Sequence, residues 1–77
     1  MTNIRFGLPE ASEVALYIYD VAGREVKTLV NESQSAGWYT VQWNGTTNNG
    51  SLVGTGMYFA RIQAGDYSKV IKMVYLR

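Results

Sequence analysis

The chain contains no cysteine and no histidine, and these two absences remove more chemistry than any residue present supplies. Without cysteine there are no disulfides, thiolate nucleophiles or Cys-based zinc sites. Without histidine the commonest metal ligand and the usual general base near neutral pH are missing. The single proline leaves room for long uninterrupted strands. Charge of either sign is sparse, and a formal net charge of +1 is too small for the clustered Lys and Arg that displace counterions from nucleic-acid phosphates. No apolar run approaches the roughly 20 residues of a membrane span, and Met1-Thr2-Asn3 lacks the basic and apolar regions of a signal peptide. If the domain is exported, its signal lies outside this sequence.

What is present reads as one ordered domain. Seventy-seven residues give room for a single core. A chain of this size buries about 60% of its unfolded surface, for a stability near 4–10 kcal/mol as an order of magnitude. An apolar fraction of 47% against 17% charged residues is too hydrophobic for a disordered tail.

Periodicity is that of strands throughout. Ile4, Phe6 and Leu8 alternate with polar or small residues until Pro9 withdraws a backbone donor, the pattern of an edge strand. Glu13 to Tyr19 sets Val14, Leu16 and Ile18 on one face. Asp20-Val21-Ala22-Gly23 then forms a turn, Asp20 bonding the backbone and Gly23 supplying a positive φ, into a third strand from Arg24 to about Val30. Val26, Leu29 and Val30 cannot all face one way without a bulge. Asn31 to Gly37 is polar and small and reads as a loop between layers. Strands are expected again over Trp38–Asn44, with Tyr39, Val41 and Trp43 in phase, over Met57–Gln63, with Tyr58, Ala60 and Ile62 in phase, and over Tyr67–Arg77. Neither face of the last is purely polar, which predicts cover on both sides for part of its length. No segment holds a helical period. The fold class predicted is all-β, an antiparallel sandwich of six to seven strands with Phe6, Leu16, Ile18, Val41, Trp43, Tyr58 and Ile62 in its core.

Five segments in order carry a family resemblance: Ile18-Tyr19-Asp20-Val21-Ala22-Gly23-Arg24-Glu25-Val26, Ala36-Gly37-Trp38-Tyr39, Trp43-Asn44-Gly45, Gly56-Met57-Tyr58-Phe59 and Lys72-Met73-Val74-Tyr75-Leu76. On these the chain resembles the C-terminal sorting domain of type IX secretion cargo and, more distantly, the Ig-like domain of flagellar hook-capping proteins. The resemblance implies an Ig-like sandwich that forms the C-terminal module of a larger exported bacterial protein. Its role would be to direct that protein across the outer membrane and to hold it at the cell surface. The signal of the sorting family is associated with its last strands, which correspond here to Gly56–Phe59, Gly65, Lys69, Lys72 and Arg77. The family's Asn-Pro-rich linker before the first strand is absent, and Met1 reads as an added start.

Other chemistry is poorly supported by the residues. Glu10, Glu13, Asp20, Glu25, Glu32 and Asp66 fall at turns or on polar strand faces, not as the opposed pair that glycoside hydrolysis needs. Asn44 to Gly50 could turn side-chain oxygens toward calcium, but its Asn and Thr are neutral ligands that hold calcium weakly, so a structural turn is the better reading. Asn31-Glu32-Ser33, Asn44-Gly45-Thr46 and Asn49-Gly50-Ser51 match the N-glycosylation pattern, as loops of this composition do by chance. Trp38, Tyr17, Tyr19, Phe59 and Tyr75 are assigned the phase opposite to the core, where a planar exposed row would bind sugar rings. The expectation is therefore a non-catalytic monomer without cofactor or metal. Its tentative contact residues are Gly65, Lys69, Lys72 and Arg77, and its partner is protein of the secretion machinery or cell surface. A carbohydrate-binding module or a passive Ig-like spacer is the alternative.

Overall fold

The computed structural model describes residues 2–76; Arg77, one of the expected contact residues, lies outside them. Six strands form: β1 (Thr2–Leu8), β2 (Ser12–Tyr19), β3 (Glu25–Gln34), β4 (Gly37–Trp43), β5 (Gly56–Ala64) and β6 (Tyr67–Tyr75). They make two antiparallel sheets, β1-β4 and β3-β2-β5-β6, which together are an Ig-like sandwich.

Alternation sends one phase of each strand inward. Ile4, Phe6 and Leu8 from β1 meet Val14, Leu16 and Ile18 from β2 and Tyr58, Ala60, Ile62 and Ala64 from β5. Trp43 is fully buried, its ring edge-on to Tyr58 at 5.2 Å and tilted against Tyr75 at 5.3 Å. Its indole N–H donates to the Thr46 carbonyl at 2.9 Å, so the polar atom is satisfied inside the core. The Tyr58 hydroxyl donates to the carbonyl of Gly54 four residues upstream at 2.7 Å, a tyrosine corner of the kind that marks Ig-like sandwiches. Six of the seven expected core residues are buried. Val41 is only half-buried, because β4 has no strand neighbour on its far side among the described residues.

The hairpin between β2 and β3 forms as the sequence predicts. Asp20 Oδ1 accepts from the N–H groups of Ala22 and Arg24, both at 3.0 Å, and Gly23 takes φ 82°. The third strand, however, runs to Gln34 instead of ending near Val30. Asn31 to Gln34 pair residue by residue with Ala15 to Ser12, and backbone hydrogen bonding at a sheet edge places no demand on side-chain polarity. Register shifts between Leu16 and Tyr17 and between Ile18 and Tyr19 leave Leu29 and Val26 as the extra residues. That is how Val26, Leu29 and Val30 all come to pack on the core.

Two expectations about the last strand are corrected. β6 stops at Tyr75 and is covered on one face only: Ile71, Met73 and Tyr75 turn inward while Val70 and Val74 are 59% and 61% exposed. No element lies over the outer face of the four-stranded sheet among the described residues. Tyr75, assigned above to the outward aromatic set, instead packs against Trp43 and donates its hydroxyl to the Asn44 carbonyl at 3.2 Å.

Candidate interaction surface

β6 is an edge strand, paired with β5 alone. Its two phases carry the expected contact residues in opposite directions. Lys72 stands on the outer phase between Val70 and Val74, opposite Phe59 in register. Lys69 belongs to the inward phase with Ile71 but sits beyond the cover of the other sheet and is exposed. Gly65, at φ 58°, makes the turn from β5 into β6. The structure thus places Gly65, Lys69 and Lys72 along one element without gathering them into a single constellation.

Around Lys72 the outer face of the sheet is substantially apolar. Met57 lies opposite Val74, Tyr19 opposite Phe59, and Arg61 between Tyr17 and Val70 in register. Tyr17 and Tyr19 are half-buried and inclined at 59° to each other, so they do not make the flat platform that sugar stacking requires.

Three of the six carboxylates are occupied with local structure. Glu25 accepts from the Thr28 hydroxyl and Glu13 from the Ser33 hydroxyl. Asp20 pairs with Arg24 at 3.2 Å. The Arg24 backbone N–H holds the Asp20 carboxyl below its ordinary range against some desolvation, and the Ala22 N–H and the Arg24 guanidinium act the same way. No group of three or more His, Cys, Asp or Glu side chains is placed to hold a metal ion among the described residues. Oxygens of the Asn44–Gly50 loop accept hydrogen bonds from the loop itself and from β3, β4 and β6. Asn44 Oδ1 accepts from Thr46, and Asn48 Oδ1 accepts from the Thr28 N–H at 3.0 Å.

One pairing escaped the sequence reading. Arg5 and Trp38 both leave the outer face of the two-stranded sheet, and the Arg5 guanidinium lies 5.0 Å from the Trp38 ring centre. The only signal was that both occupy the outward phase of their strands; the register that brings them together depends on which strands pair.

A tyrosine corner, a buried tryptophan between two sheets and a hairpin closed by an Asp-X-X-Gly turn define an Ig-like module. The FlgD Ig-like domain family matches residues 2–68, and the chain belongs to that family. No curated protein and no solved structure matches the chain significantly. The family match ends at Ser68, so Lys69 and Lys72 lie past the matched residues. No helix among the described residues is long and apolar enough to cross a membrane.

Proposed function

We propose that this Ig-like domain is a non-catalytic sorting and attachment module of an exported bacterial protein, read by protein components of the export machinery or cell surface through β6. The observation that carries the reading is β6 itself. It is a nine-residue open edge whose outer phase exposes Val70 and Val74 around Lys72. Proteins ordinarily shorten, cover or interrupt such an edge with proline, because it invites pairing with another chain. Here it is long and proline-free, with Lys72 as a guard against unselective association and as a charge a partner can read. Cargo bearing the domain passes through the periplasm and is retained at the cell surface.

Fusion of the domain to the C-terminus of an inert periplasmic reporter tests this in a bacterium that has the type IX machinery. The reporter is expected at the cell surface with the domain and in the periplasm without it. Identical periplasmic retention of both would leave the domain as a spacer.

A further inference from the structure

The two sheets cover each other unequally, since two strands face four. Along one side of the sandwich the free edge of β1 and the start of β6 stand apart with no strand between them. A cleft of about 470 Å³ occupies the gap, lined chiefly by Arg5, Phe6 and Leu8 of β1, Trp38 of β4, and Tyr67 and Lys69 of β6.

Three properties select its occupant. β1 pairs with β4 alone, so its backbone N–H and C=O groups directed away from β4 have no strand partner among the described residues. Such a row of groups accepts an extended peptide as an added strand. Both phases of a strand laid on that edge would also meet apolar surface. Phe6, Leu8 and Tyr67 line the inner side. On the outer side is the Trp38 indole, 73% exposed, which crosses the backbone of Gly7 so closely that a Cβ there would lie 2.9 Å from the ring. Finally, the charged residues of the lining are Arg5 and Lys69, both cations, while Glu10 and Asp66 line the adjoining hollow past Leu8 and Tyr67. β1 contributes the consecutive run Arg5–Leu8 and β6 only Tyr67 and Lys69, so the pairing edge is that of β1.

We propose that this cleft receives an extended acidic segment of a partner protein, which pairs with β1 as a third strand. Alternate apolar side chains enter between the sheets, and carboxylates lie beside Arg5 and Lys69. The reading goes beyond the sorting role and stands without it, because its edge is β1 and its principal side chains are Arg5 and Trp38.

The test titrates the isotope-labelled domain with a capped peptide alternating Val and Glu. The comparison peptides carry Lys in place of Glu or N-methyl groups on alternate amides. The Glu peptide is expected to bind with a Kd below about 1 mM and at least about tenfold tighter than the Lys peptide. It should slow amide exchange at alternate residues of Thr2–Leu8 and shift the Trp38 indole N–H, leaving that of buried Trp43 in place. N-methylation should abolish binding, and Arg5→Glu, with an unchanged melting temperature, should reverse the charge preference. Any of four results overturns the proposal: equal binding of the Lys or N-methylated peptide, protection at Val70–Tyr75 in place of β1, no binding up to about 1 mM, or protection of β1 without peptide that grows with protein concentration, which would make a second copy the occupant.

Discussion

Trp43 is the largest fully buried side chain between the two layers. Its ring is sealed between Tyr58 of β5 and Tyr75 of β6, and its N–H is satisfied by Thr46, so truncation would open a large cavity and orphan a carbonyl. Trp43→Ala should cost about 3–5 kcal/mol, most of the stability available to a domain of this size; chemical denaturation measures it, and a midpoint equal to the parent's would refute the packing described. Asp20 gives a residue-scale prediction of another kind. Its folded pKa lies below the ordinary carboxylate value of 3.8, so the ionised carboxylate stabilises the hairpin above that value. The stabilisation is lost as pH falls through the depressed folded pKa. Asp20→Asn should therefore melt lower than the parent at neutral pH, with the gap closing as the pH falls below 3.8. A gap independent of pH would show that the charge on Asp20 contributes nothing.

At the scale of the element, the β2–β3 hairpin shows what local pattern can and cannot specify. Its turn was legible because Asp20 and Gly23 each solve a backbone problem inside four residues. Gly23→Val should destabilise the domain by more than about 1 kcal/mol, since a β-branched residue is strained at φ 82°. A crystal structure or thermal melt that finds the variant indistinguishable would contradict the turn. The far end of the same hairpin was not legible. Asn31 to Gln34 carry loop-like side chains but are held as strand by Ser12 to Ala15 across the ladder, a tertiary constraint that composition does not record. β6 illustrates the converse. Its apolar residues on both faces led to an expectation of cover on both sides for part of its length, yet Val70, Val74 and Leu76 are exposed because no element covers that face among the described residues. The bulges at Val26 and Leu29 were foreseeable in kind from the conflict of phases, whereas their positions follow from pairing with β2.

For the whole molecule, the two-layer architecture follows from the strand periods, and six of the seven expected core residues are buried. The surfaces on which function is argued were only partly visible. Lys69 and Lys72 were suggested by the family resemblance and their opposite faces by the alternation of the strand, but the exposure of Lys69 on the inward phase depends on where β6 meets the sandwich. The Arg5–Trp38 pair and the cleft beside β1 depend on sheet order and on two strands facing four. The central claim is that β6 is read by another protein while the sandwich stays folded. Deleting β6 would test this poorly, because Ile71, Met73 and Tyr75 pack on the core and would be lost with it. The direct measurement is the cellular location of a reporter fused to the Lys69→Ala, Lys72→Ala domain, alongside the melting temperature of the same variant. Both lysines are exposed, so melting should stay within about 4 °C of the parent, while the reporter should accumulate in the periplasm. A stable variant domain that carries its reporter to the cell surface as well as the parent does would contradict the account.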